Sequence, residues 1–362
     1  MILGSMLPLI SSEYQLSNVI SGSLISAHQI GNLLASFIAG VLPIYIGRKN
    51  SVIFLCVFVI AGFLLMISTG NPLLLLLAFL FTGISRGSIS NFNNSIVNEV
   101  SNSSAAAINF LHSVFAVGAL LAPFLVIAGV NLMGSKGWKL AGIVIAVLAA
   151  VAMFLFSRAK LVDAKVQKKS KKMSYKFLKF IPFWINSGIL FFYLCAEATI
   201  NGWIVKYFVD SSIMTTEYAQ VLASLLWAVI LIGRLVVSAV GNKIPKKKIL
   251  LVTSIGTTLF YMLLLSSRNT TVITLAIAGL GFSMAGIYPT TIANVGNTLK
   301  EYPMSLGMLL IIGGMGSILM PTITGALSDL FGIFAGMSAI VVAIFLMLVF
   351  VIINAFRGKS KA

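Results

Sequence analysis

Apolar runs, most of them close to or beyond 20 residues, follow one another along this chain with only short polar breaks between them. About 20 consecutive apolar residues are what a helix needs to cross the hydrocarbon core of a bilayer. Hydrophobic residues make up 59% of the chain and charged ones 9%, against roughly 45–50% and about 25% in ordinary soluble domains. A soluble chain this apolar could not cover its own surface, so most of its outside must face lipid. The fold class expected is all-α, embedded in a membrane.

The runs place a first, short span at Met1–Ile10, which reads as the outer half of a helix whose beginning lies outside this sequence. Full spans follow at Val19–Ile46, Val52–Ser68, Leu73–Val97, Ala105–Met133 and Trp138–Phe156. Six more come at Ile181–Val209, Tyr218–Val240, Ile249–Ser266, Val272–Val295, Met304–Leu327 and Ile333–Phe356. Between the two groups lies a polar interruption, Arg158–Lys179, in which every charge except Asp163 is positive. The expected organisation is a six-helix half over 1–157, a basic linker over 158–180, a second six-helix half over 181–356 and a tail over 357–362.

The net charge of +17 would point to nucleic acid in a soluble protein. Here the basic residues sit in the short links between spans, and the positive-inside bias accounts for them, so no nucleic-acid partner is expected. Arg48, Lys49, the linker, Lys243, Lys246–Lys248, Lys300, Arg357, Lys359 and Lys361 all fall on one side if the spans alternate. That side is expected to be cytoplasmic and the membrane to be the plasma membrane, with linker and C-terminus inside the cell. Cys56 and Cys195 both lie inside apolar runs, where they read as packing residues rather than a disulfide. No Cys/His cluster has metal-ligand spacing and no nucleophile–base pattern appears, so neither a metal, nor a cofactor, nor an enzyme activity is expected.

The halves resemble each other. Ile30–Pro43 reads IGNLLASFIAGVLP and Ile232–Pro245 reads IGRLVVSAVGNKIP, with Ile, Gly, Leu, Ser and Pro in register. Gly83 and Ser85 match Gly281 and Ser283, and Gly118, Leu121 and Pro123 match Gly316, Leu319 and Pro321, all at one offset. Six spans per half give both copies the same orientation, one of the standard architectures of secondary transporters. A monomer is the expected functional unit.

With these features on view, the chain resembles the major facilitator superfamily. That family carries, between its second and third helices, a Gly, then an Asp and a basic residue, then Gly-Arg-Arg/Lys. In the segment GVLPIYIGRK here, Gly40, Gly47, Arg48 and Lys49 fit, while Ile44 and Tyr45 stand where the Asp and the first basic residue are expected. The departure removes the carboxylate of the charged lock that this motif implies, and Gly40, Gly47, Arg48 and Lys49 remain as its gating candidates. Asn109–Pro123, Glu197–Phe208 and Gly281–Ala293 are similar to segments of the fucose-permease-like branch, which includes sugar/proton symporters. GALSDLFG, Gly325–Gly332, is similar to a family pattern after the eleventh helix. The resemblance implies alternating access between two halves, with a small polar solute such as a sugar and protons as partners.

Polar residues inside the spans are the site candidates, because charge in a membrane interior is costly and usually marks a pathway. Arg86, Ser90, Asn94 and Asn98 recur every four residues on the fourth span and form one polar stripe. The stripe faces either a cavity or a neighbouring helix bonded through Ser and Asn. Glu197, with Tyr193 and Asn201 one turn to either side, is the acid deep in the second half. It suits a proton carrier, or alternatively a fixed ion pair with Arg86 or Arg234. His28 and Asn32 share a face at mid-depth of the second span, and Asn109 and His112 lie inside the fifth. Arg234 is expected nearer the cytoplasmic end of the eighth, as part of an inner gate. Trp203 and Tyr207 are expected in an aromatic belt at the outer interface. Tyr288 joins the pathway set, with Pro289 beside it allowing the tenth span to bend, and Pro321 after Gly313, Gly314 and Gly316 makes the same case for the eleventh. Export of amphipathic compounds and a non-transporting scaffold or sensor are the rival readings.

Overall fold

A computed structural model describes residues 2–101, 105–158, 175–240, 243–295, 302 and 304–357. The linker at 159–174, Lys300, Lys359, Lys361 and the side chains at 36, 40, 105, 106, 108 and 109, Asn109 among them, lie outside the described residues. The chain forms α1 Ile2–Glu13, α2 Asn18–Ile46, α3 Arg48–Ser68, α4 Pro72–Val100, α5 Ala105–Met133 and α6 Gly137–Arg158. The second half forms α7 Ile181–Asp210, α8 Thr216–Val240, α9 Lys246–Ser266, α10 Thr270–Met284, α11 Ile287–Asn294, α12 Met304–Phe331 and α13 Ile333–Phe356. Among the described residues there is no strand. The fold is an all-helical membrane bundle.

Helix starts follow local chemistry, and they repeat. Asn71 caps α4, its side chain accepting from the amides of Leu73 and Leu74, while its own amide donates to Thr69 Oγ1. Asn269 does the same for α10, accepting from Thr271 and Val272, with its amide on Ser267 Oγ. Each cap satisfies amides that the first turn leaves without partners. Packing repeats as well. α2 lies on α4, and α3 on α4 and α6, while α8 lies on α10, and α9 on α10 and α13. The outer surface is apolar, with Phe54, Leu155, Phe345 and Phe356 among its exposed side chains, as a lipid-facing surface requires.

The span beginning at Thr270 is broken. α10 stops at Met284 and α11 starts at Ile287, and Pro289 has no amide to give the carbonyl four residues back. By contrast α12 runs unbroken through Pro321. Trp203 and Tyr207 do not form an interfacial belt: they are 0% and 2% exposed. α7 is packed on several sides, by α1, α8, α12 and α13, so its aromatics face protein at whatever depth they sit.

The halves meet at α2 with α12, α5 with α8 and α1 with α7. The hydrogen bonds described between them lie toward the end of the bundle opposite the linker. Ser26 Oγ donates to the Ile318 carbonyl at 2.5 Å, and Gln220 Nε2 to the Ser5 carbonyl at 2.7 Å. Ser224 Oγ donates to the Leu120 carbonyl at 3.0 Å. At the very end, the Asp329 carboxylate accepts from the amides of Asn18 and Val19, each at 2.8 Å. It thereby caps α2 from the other half, where the partial positive charge of the helix start favours an anion. Gly22 and Pro321 bring the two backbones into contact just below. Toward the linker end, Phe37, Val41 and Tyr45 on α2 and Leu235 and Val236 on α8 are exposed.

Candidate functional site: a cavity between the halves

A cavity of about 390 Å³ is lined by α1, α2, α4 and α5 from the first half and by α7, α8, α11 and α12 from the second. Its polar wall is built from closely approaching helices. A Cβ on Gly83 would run into the His28 carbonyl, so only glycine lets α4 approach α2 at this level. That approach sets Arg86 beside His28, with Arg86 Nη1 3.4 Å from His28 Nε2. On its other side the imidazole bonds Thr82 Oγ1 through Nδ1 at 3.0 Å. Thr82 uses its own proton on the Phe79 carbonyl at 2.7 Å, so it must accept from Nδ1–H. Nε2 is then left to accept from Arg86, and His28 is the neutral imidazole. Ser90 and Asn32 continue the wall.

Across the cavity, Tyr193, Glu197 and Asn201 follow at one-turn spacing on α7. Tyr193 Oη lies 2.9 Å from Glu197 Oε1 and 3.2 Å from the Met284 carbonyl, at the break between α10 and α11. The hydroxyl has one proton for these two acceptors. Asn201 turns its amide back onto the Glu197 carbonyl at 2.7 Å. Tyr288 and Arg234 complete this side. Among the described residues Glu197 has no basic nitrogen within the 4.0 Å of an ion pair. Three other acids are ion-paired: Glu99 with Arg48 at 2.6 Å, Glu13 with Lys139 at 2.6 Å and Asp210 with Lys206 at 2.5 Å.

The structure therefore brings together His28, Asn32, Arg86, Ser90, Glu197, Asn201, Arg234 and Tyr288. It does not bring in Asn94, whose side chain returns to the Ser90 carbonyl at 2.9 Å, or His112, which is exposed outside the cavity lining. Gly47 ends α2 with φ 76°, and Arg48 closes an ion pair within its own half. Arg234 stands in the cavity wall. The internal repeat held the clue, since Arg234 occupies in IGRLVVSAVGNKIP the place that Asn32 occupies in IGNLLASFIAGVLP. Gln29 and Trp227 also line the cavity. Gln29 lies three residues before Asn32, a spacing that puts both on one face. Among the described residues no group of three or more His, Cys, Asp or Glu could hold a metal.

The family model for the Major Facilitator Superfamily matches residues 1–298. The chain belongs to the major facilitator superfamily. Its members are transporters, not enzymes. Two solved structures share the superfamily fold over nearly the whole chain. The nucleoside transporter NupG matches with a TM-score of 0.76 at 13% identity, covering 99% of this chain and 95% of that one. A bacterial homolog of the human lysosomal transporter Spinster, inward-facing and occupied, matches with a TM-score of 0.77 at 15% identity over 98% and 92%. Among curated relatives, Major facilitator superfamily domain-containing protein 4A of Xenopus tropicalis is 28% identical over 155 residues, 39% of this chain. Protein TsgA homolog of Erwinia tasmaniensis is 24% identical over 148 residues, 40% of this chain. The matches span 31% and 37% of those relatives' lengths.

Proposed function

We propose that this chain is a secondary active transporter of the plasma membrane that takes up a small polar solute, sugar-like in its hydroxyls, together with protons. The observation that carries the reading is Glu197: a carboxylate on a cavity shared by both halves, held by the Tyr193 hydroxyl and without a cation at ion-pair distance. A carboxylate kept that way can gain and lose a proton as the cavity opens to one side and then the other, whereas a paired one would be fixed. The linker and C-terminus are cytoplasmic on the positive-inside bias. The halves are then closed on the outside, and the cavity opens inward. Amide and guanidinium donors in its wall suit a hydroxylated solute better than an amphipathic one. The resemblance to the fucose-permease-like branch supports the sugar class, and the nucleoside transporter among the neighbours adds nucleosides to the candidates. A monomer holds the whole cavity.

The test is uptake into proteoliposomes of radiolabelled sugars and nucleosides with the outside made acidic. Accumulation above the external concentration is expected for the parent. Glu197→Gln is expected to lose it, by tenfold or more, while still exchanging solute down a gradient. Accumulation by Glu197→Gln equal to that of the parent would overturn the carrier role.

A further inference from the structure

The charges facing the cavity do not balance. Arg86 on α4 and Arg234 on α8 stand against one carboxylate, Glu197 on α7. Among the described residues neither arginine has a carboxylate within 4.0 Å. Among the described residues Arg86 hydrogen-bonds only the imidazole of His28, and Arg234 hydrogen-bonds none. His28 adds no charge, because its hydrogen bonds hold it neutral. The remaining titratable groups facing Glu197 are the phenols Tyr193, on its own helix, and Tyr288, on α11. α1, α5 and α12 contribute to the wall only uncharged residues such as Gly4, Phe115 and Ser317. His112 on α5 lies near Arg234 and is exposed. A guanidinium withdrawn from water is tolerated when an anion meets its planar fork of donors. Here two forks converge on one space from opposite halves, and nothing in the described protein answers them.

We propose that the solute carries an oxyanion, a carboxylate or a phosphate, on a small hydroxylated body, and that Arg86 and Arg234 clamp it from the two halves. The inference rests on the transport reading and deepens it by naming the charge of the cargo. With Glu197 ionised, the excess at the site is one positive charge. With Glu197 protonated it is two. Proton and anion therefore favour each other's binding, which is the coupling a symporter of an acid needs. Gln29, Asn32 and Asn201 are placed to bond hydroxyls on the body of the solute. The volume sits at the small end of the range for small-molecule sites, consistent with a single metabolite-sized ring.

The experiment is calorimetric titration of the purified full chain in lipid nanodiscs, at constant ionic strength, with three probes: D-glucuronate, glucose 6-phosphate and D-glucose. At least one acid is expected to bind tenfold or more tightly than glucose, and which one it is assigns the carboxylate or the phosphate. Arg86→Gln and Arg234→Gln are each expected to weaken the acid tenfold or more, and by a several-fold larger factor than they weaken glucose. Arg86→Lys and Arg234→Lys keep the charge without the fork and are expected to fall between. They also show that loss in the Gln variants is not misfolding. Glu197→Gln, which removes the negative charge from the site, is expected to bind the acid more tightly than the parent does at neutral pH. Glucose binding as well as either acid, or neither acid binding, overturns the proposal. So does acid affinity unchanged in both Gln variants. Proton-driven glucose uptake with no acid binding would sink the anion and leave proton-coupled transport standing. Arginine-dependent acid binding without proton-driven uptake would do the reverse.

Discussion

Tyr193 is where one hydrogen atom serves two masters. Its hydroxyl faces the Glu197 carboxyl at 2.9 Å and the Met284 carbonyl at 3.2 Å, and it can donate to only one at a time. When Glu197 is ionised, its charge draws the proton. When Glu197 is protonated, the acid donates to the phenol oxygen, and the phenol proton is released to Met284, at the break in the α10–α11 span. The charge state of α7 is thus linked to a backbone that is already interrupted. A hydrogen bond to a charged group contributes about 1.5–3 kcal/mol, and 1.4 kcal/mol corresponds to about tenfold. Tyr193→Phe is expected to lower proton-driven accumulation about tenfold and to leave downhill exchange within about twofold. Equal loss of both would show that the hydroxyl only supports packing. In the sequence, Tyr193, Glu197 and Asn201 are legible as one face of a helix. That the same hydroxyl reaches Met284 is not, because 91 positions separate the partners and only the bundle closes that distance.

At the scale of helices, the polar wall depends on how near α2 and α4 stand. Gly83 meets the His28 carbonyl with no room for a Cβ, whereas a Cβ on Gly118, in α5, would have nothing within 4 Å. Gly83→Ala is expected to destabilise the protein by about 1–3 kcal/mol, the usual cost of overfilling a packed site. It should also separate Arg86 from His28. Gly118→Ala is expected to stay within about 0.5 kcal/mol. Thermal unfolding of both in detergent compares them directly, and equal melting temperatures would contradict the close approach. Both glycines belong to the internal repeat, so sequence alone gives them the same weight. Their different surroundings come from the bundle. Hydropathy similarly locates the ends of α3, α6, α9 and α13 to within a few residues, since leaving lipid is a property of the segment itself. It says little about facing, which is why Trp203 and Tyr207 read as interfacial and turn out enclosed. Counting residues along α8 puts Arg234 toward the linker-side end of the helix, but it cannot show that the cavity reaches that level, which only the packed bundle reveals.

For the molecule as a whole, the end opposite the linker is shut and the linker end stands apart, so the contacts at the shut end set which way the cavity faces. Asp329 is the outermost of them, and the geometry is that of a helix cap made in trans: a carboxylate of α12 on the first amides of α2. Within a helix, losing a cap costs about 0.5–2 kcal/mol. This one exists only while the halves touch, so its loss weakens the closed end relative to the open one. At about 1 kcal/mol the ratio of the two states moves roughly fivefold. Asp329→Ala is therefore expected to raise the fraction open at this end without unfolding either half. Spin labels at Leu132→Cys and Leu330→Cys, which are 76% and 73% exposed at that end, read the separation by pulsed electron resonance. The native Cys56 and Cys195 are buried and would be replaced by alanine. A second, longer distance is expected to grow several-fold in Asp329→Ala, and Asp329→Glu to restore part of the short one. An unchanged distribution would mean that the Gly22–Pro321 contact and the Ser26 bonds hold the closed end alone. The cap would then be a consequence of closure and not one of its causes.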